Sequence, residues 1–308
     1  MIVVLTGGSG GAKLVEGLAP VLDPAELTII CNTGDDAIFH GLYVSPDIDT
    51  IIYTLAGLVD GEKGWGINGD TFAVLQQLRK LGEDAWFNLG DMDLATHILR
   101  TRLLGEGCKL SQAVDHLRRA RGIEAKILPM SDERVETRIT TPEGEVSFQE
   151  FFVKERWAPE VLAVRFAGAE QSRPAPGVPD SIRDAAAIVV CPSNPITSIG
   201  PILAVPGIRA ALRETAARII GVSPLVGATA ISGPAHKLML ADGREASALG
   251  VAQSYNDFLD AFFISGEDRS LAQQIESLGI DAVCTNIRMP TSADKHRLAR
   301  ELLAWVEK

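Results

Sequence analysis

The chain has 308 residues, 46% hydrophobic and 22% charged, with a formal net charge of −11. That length buries a large core, and the acidic balance argues against nucleic acid and anionic membrane as partners, since both need basic surface. Cys31, Cys108, Cys191 and Cys284 show neither C-x-x-C nor zinc spacing, and the first residues read as a strand with no leader or membrane span, so free thiols in a cytoplasmic protein are expected.

The apolar run Ile2–Leu5 feeds into Thr6-Gly7-Gly8-Ser9-Gly10-Gly11-Ala12-Lys13-Leu14. A buried strand that ends in glycines and opens a helix offers bare N–H groups at a positive helix end, which is a phosphate site. Lys13 lacks the following Ser or Thr of the P-loop. A dinucleotide fingerprint begun at Gly8 and Gly10 would put the same lysine where close packing needs glycine. Gly8, Ser9, Gly10, Gly11 and Lys13 are therefore expected to hold a nucleotide or diphosphate.

Leu27–Cys31, Ala186–Cys191, Arg218–Val222, Ala261–Ile264 and Ala282–Thr285 are nearly continuous apolar runs, as strands covered on both faces are. Alternating with helical patterns, they predict a Rossmann-like, mostly parallel sheet with helices on both faces. Residues from about 49 to 121 read as helix after helix. Asp70 is expected to cap one that carries Phe72, Val74, Leu75, Leu78 and Leu81, and others begin near Asp93 and Ser111.

Alternation through Val135, Thr137 and Ile139, the turn Pro142-Glu143-Gly144 and the run Val146–Val153 predict a hairpin. Gln171–Pro179 reads as a surface loop, and a helix over 293–305 covers the core with Leu298, Leu302 and Leu303. The organisation expected is a single domain over 1–308, with a helical insertion at about 50–125 and the hairpin at about 134–153.

The second strand ends in Asn32-Thr33-Gly34-Asp35-Asp36, and Pro46-Asp47-Ile48-Asp49-Thr50 follows. Parallel strands carry such loops to the edge that also holds the glycine turn. Carboxylates beside a phosphate repel it unless a cation intervenes, and Mg²⁺ takes oxygens from one or two carboxylates plus phosphate. Asp35 and Asp49 are the candidate metal and catalytic pair, with Asn32, Asp36 and Asp47 as binding residues.

Asn88 and Asp91 precede a helix carrying His97, and Arg134 stands where it could reach an anion. Ser193, Asn194 and Ser198 follow the third apolar run, and Ser223 and Lys237 flank the next loop. No G-x-S-x-G elbow or activated thiol is present, so covalent catalysis is not expected; metal-assisted phosphoryl-type transfer needs mostly positioning and charge neutralisation, which these loops can supply.

Taken together, 7–14, 32–36, 46–50, 90–97, 129–133, 192–201 and 223–237 resemble, in order, the 2-phospho-L-lactate transferase family (CofD and its actinobacterial counterpart FbiA). The resemblance implies a Mg²⁺-dependent, commonly homodimeric enzyme of coenzyme F-420 biosynthesis. In that family the ribityl hydroxyl of 7,8-didemethyl-8-hydroxy-5-deazariboflavin attacks a guanosine-diphosphate-linked three-carbon acid and GMP leaves. It also implies that Asp49 serves acceptor and metal, with Asp35 as partner, and that Asp49→Asn abolishes turnover without unfolding the protein. Asn88 departs from the basic residue of some relatives. Phospholactyl, phosphoenolpyruvyl and phosphoglyceryl donors stay open, as does which loop holds guanine and which the deazaflavin. The alternative is a YvcK-like regulator that binds nucleotide sugars and shares the glycine loop and the Asn-Thr-Gly-Asp-Asp motif.

Overall fold

The computed structural model describes residues 1–227, 229–230 and 233–307; Ser232, within the 223–237 motif, lies outside the described residues. Seven strands form one parallel sheet: β1 (Ile2–Thr6), β2 (Leu27–Cys31), β3 (Lys126–Pro129), β4 (Ala187–Val190), β5 (Arg218–Val222), β6 (Ala261–Ser265) and β7 (Asp281–Thr285). Their spatial order is β3-β2-β1-β4-β5-β6-β7. All six pairings are parallel, with Ile2 opposite both Leu27 and Ala187. The order runs one way from β1 to β3 and the other way from β4 to β7, which makes the gap between β1 and β4 a topological switch point.

Period-two alternation divides each strand between two cores. Val3, Leu5, Ile30, Ile188, Val190, Phe262 and Ile264 face one side. Val4, Ile29, Cys31, Ala187, Val189, Ile220 and Phe263 face the other. The second core is closed by α1 (Gly8–Leu18), α2 (Pro46–Leu55), α5 (Leu110–Ala120) and the C-terminal helix (Ser292–Val306), through Leu14, Ile48, Val114, Leu298 and Leu302. Gly17 lets α1 approach that last helix: a Cβ there would stand 2.4 Å from the Lys295 carbonyl oxygen.

Several local expectations need correction. Residues 56–72 are irregular, not helical, and turn through Gly57, Gly64, Gly66 and Gly69, all with positive φ. The next helix, α3 (Ala73–Lys80), starts after Phe72. β3 escaped notice because it has four residues and ends in proline, which an edge position tolerates.

The hairpin forms from Glu136–Thr141 and Gly144–Ser147, and a third strand, Ala163–Ala167, joins it. The run to Val153 does not stay extended. Ser147 N–H and Oγ both donate to the Glu150 carboxylate, at 2.8 and 2.7 Å, and start a π-helical turn over Glu150–Lys154. Within 171–179, Ala175 and Val178 are core residues, and Ala175 N–H bonds the Met130 carbonyl at 3.1 Å.

Candidate active site

The loops after β1, β2 and β4 converge on one cavity of about 280 Å³ at the switch point. Gly7–Gly10, Ser193, Asn194, Thr197 and Ser198 line it together with Asp35, Asp47 and Asp49. Trp65, Phe87, Phe148 and Phe152 also line it, the last two stacked on each other, and motif reading missed them. Those aromatics come from segments with no phosphate or metal pattern, so only the fold gathers them.

The glycine turn is partly engaged already. Gly8 N–H donates to Asp47 Oδ1 at 2.7 Å, and Gly7 N–H to Ser193 Oγ at 3.3 Å. A Cβ on Gly11 would come within 1.9 Å of Thr6 Oγ1, so Gly11 serves close packing and does not line the cavity. The amides of Ser9 and Gly10, in the first turn of α1, have no intrahelical acceptor and remain for a ligand. Lys13 sits further along α1, outside the cavity lining.

Asn32 organises the acids. Its Oδ1 accepts Gly34 N–H at 2.8 Å, while Nδ2 reaches Asp35 Oδ2, Asp47 Oδ2 and the Thr197 carbonyl at 3.2, 2.9 and 3.3 Å. Asp36 turns away from the cavity to accept from Ser45 Oγ at 2.7 Å and Tyr43 OH at 3.0 Å. Asp35 is the least compensated of the set: it is buried, and only the neutral side chains of Thr137 and Asn32 support its charge. Burial, then the charges of Asp47 and Asp36, push its carboxyl well above the usual range, and burial raises Asp47 as well.

Asp49 has a different environment. Arg100, fully buried, meets both its oxygens, with Nη1 to Oδ2 at 3.0 Å and Nη2 bonded to Oδ1. His97 Nδ1 lies 3.6 Å from Asp49 Oδ2, and its Nε2 lies 3.2 Å from Asp93 Oδ2, whose other oxygen accepts from Tyr53 OH at 2.5 Å. The sequence explains the assembly: Asp93, His97 and Arg100 share one face of α4 (Asp93–Gly105), and Asp49 and Tyr53 share one face of α2. Arg100 carries no motif, and the i, i+4, i+7 stripe with Asp93 and His97 is the signal that could have found it.

Asn194 Oδ1 accepts the N–H groups of Ile196 and Thr197 at 2.9 and 3.2 Å, which leaves Nδ2 as the group it can offer a ligand. Ser193, Ser198 and Asn88 also line the cavity.

Besides Gly11, Lys13 and Asp36, four more expected binding residues are placed elsewhere. Arg134 is exposed and pairs with Glu136 at 3.1 Å. Ser223 Oγ is spent on the backbone of Leu225. Lys237 Nζ donates to the carbonyls of Trp157, Ala158 and Pro159 and fastens the segment after the π turn. Asp91 accepts Ala73 N–H and Val74 N–H at 2.9 and 3.0 Å, while Asp70 accepts Met92 N–H and Asp93 N–H at 2.8 and 3.0 Å.

The two aspartates thus exchange helices, each capping the one that the other precedes, and Asp70 does not cap α3. Asp91→Ala is expected to cost about 1 kcal/mol in urea unfolding and to leave substrate affinity unchanged; a selective loss of affinity at wild-type stability would return Asp91 to the site.

A parallel α/β sheet with a carboxylate-rimmed cavity at its switch point defines a Rossmann-like protein, and the switch point is where such folds take their ligands. The model of the family "2-phospho-L-lactate transferase CofD" matches residues 2–305, and the chain belongs to that family. A 2-phospho-L-lactate transferase of Methanothermobacter thermautotrophicus is 45% identical over 306 residues, 99% of this chain and 98% of that protein. A phosphoenolpyruvate transferase of Streptomyces griseus is 42% identical over 312 residues, with the same shares covered. Among solved structures, a UPF0052-family protein of Bacillus halodurans superposes with a TM-score of 0.66 at 15% identity, over 98% of both chains, a likeness of fold.

Proposed function

We propose that this chain transfers a phosphorylated three-carbon acid from its guanosine-diphosphate-linked donor to the ribityl hydroxyl of 7,8-didemethyl-8-hydroxy-5-deazariboflavin and releases GMP. The observation that carries the reading is one cavity joining free helix-terminal amides, a buried carboxylate with no cationic partner and aromatic side chains. The amides of Ser9 and Gly10 and Nδ2 of Asn194 suit phosphate oxygens. Trp65, Phe87, Phe148 and Phe152 suit a flat heteroaromatic ring.

Asp35 fits a divalent cation, because burial and the charges of Asp47 and Asp36 raise its carboxyl while only the neutral side chains of Thr137 and Asn32 offset them. Among the described residues no cluster of three or more His, Cys, Asp or Glu side chains forms a metal cage. Mg²⁺ asks for less, since one or two carboxylates with phosphate oxygens are enough. Asp35, with Asp47 and Asp49 beside it, would hold the ion, which supplies charge neutralisation at the diphosphate.

Asp49, backed by Arg100, accepts the hydrogen bond of the attacking ribityl hydroxyl. As the new O–P bond forms, the P–O bond to GMP breaks and the hydroxyl proton passes to the carboxylate rim. A homodimer in the cytoplasm belongs to the same proposal.

The test incubates the protein with Mg²⁺, deazaflavin and each of the phospholactyl, phosphoenolpyruvyl and phosphoglyceryl donors, with product followed by mass. The expected result is a deazaflavin phosphodiester and GMP from at least one donor. No turnover with any donor, alongside tight binding of a UDP-sugar, transfers the chain to the regulator reading.

A further inference from the structure

Gln149 is 6% exposed and lines the cavity between Phe148 and Phe152, whose rings stack at 5.2 Å between centroids. Its Nε2 donates to the backbone carbonyl of Asp35 at 3.1 Å. A carbonyl oxygen only accepts, so this bond fixes which end of the amide is nitrogen. Among the described residues Oε1 has no hydrogen-bond partner, and it is the acceptor Gln149 can offer to a bound molecule. The residue opens the π turn, a distortion that widens the helix and is common where a side chain must be aimed at a site.

We propose that Gln149 is a specificity-determining residue that accepts a hydrogen bond from the ring N–H of a flat heteroaromatic ligand lying against Phe148 and Phe152. A ring that covers this acceptor without giving it a donor leaves it unpaired, so the site favours rings with an imide or lactam N–H and penalises rings that lack one. Asn194 has the opposite polarity, with its amide nitrogen free, and the two amides read different parts of the substrates. The inference rests on the transferase reading above. Two of its ligands carry such an N–H, the deazaflavin in its pyrimidinedione ring and the donor in its guanine, and the experiment separates them.

Equilibrium binding of the deazaflavin and, separately, of GDP is measured with the wild-type chain and Gln149→Met, a substitution of similar length without polar atoms. One of the two ligands is expected to bind about 10-fold more weakly to the variant, the size of one neutral hydrogen bond, while the other is unchanged. For the affected ligand, N-methylation at the ring N–H should weaken binding to the wild type and cost nothing further in Gln149→Met.

Mg²⁺ affinity, read by thermal shift, is expected to stay constant. Equal loss for both ligands together with weaker Mg²⁺ binding would mean that Gln149 acts only by supporting the Asp35 loop, and it would overturn the proposal. Unchanged affinity for both would do the same. A wild-type chain that binds neither compound defeats the transferase reading itself, an outcome distinct from either.

Discussion

Arg100→Met is expected to destabilise the protein by about 3–5 kcal/mol, the cost of breaking a buried ion pair from one side. Arg100 is fully buried, meets both oxygens of Asp49 and lies near the carboxylates of Asp36 and Tyr53's phenol. Removing it leaves the buried Asp49 without its guanidinium partner, with only the His97 ring 3.6 Å away. That loss is a large fraction of the roughly 5–15 kcal/mol that holds a domain together.

The pairing also revises the expectation for Asp49→Asn. The substitution strands the guanidinium instead, so turnover and stability should fall together rather than turnover alone. The double variant Arg100→Met/Asp49→Asn should recover a good part of the loss, because neither charge is then stranded. Urea unfolding of the three variants decides the matter: single variants that each cost under about 1 kcal/mol would show that the pair is not the buried bridge described.

Much of the scaffold was legible because its signals are local. Leu27–Cys31 and Arg218–Val222 are nearly continuous apolar runs, and the structure gives those same limits. The glycine turn and the two acidic motifs could be assigned to one rim from strand direction alone. What stayed hidden depends on pairing at a distance. Asp91 looked like a ligand because its chain neighbours are loop residues, yet its partners, Ala73 and Val74, begin another helix. Lys237 offered a cation beside a loop, and three carbonyls some eighty residues earlier take it up.

The division of labour among the acids was equally invisible. Nothing in the letters distinguishes Asp49, which has Arg100, from Asp35, which has no cation among its hydrogen-bond partners. That difference separates two roles: Asp49 is held by the fold, and Asp35 is held against it.

Asp35→Asn is therefore expected to abolish transfer while making the metal-free protein more stable. The wild-type carboxyl keeps its proton in the folded state to a higher pH than in the unfolded chain. Between those two values the native state binds more protons, so stability falls as pH rises through that window and levels off above it. An amide has no charge to desolvate or to set against Asp47, so the variant should lose part of this slope. Asp36 and Asp47, also raised by burial, keep the remainder.

At pH 8 without metal, Asp35→Asn should gain on the order of 1–2 kcal/mol, as relieved active-site strain commonly gives. Added Mg²⁺ reverses the ranking. It should stabilise the wild type by mass action and leave the variant unmoved, because an amide is a poor replacement for the carboxylate. Thermal melts with and without Mg²⁺ at pH 5 and pH 8 read both effects. A variant less stable than wild type at pH 8, or one that Mg²⁺ stabilises as strongly, would remove Asp35 from the cation's grip and leave the acidic rim without its function.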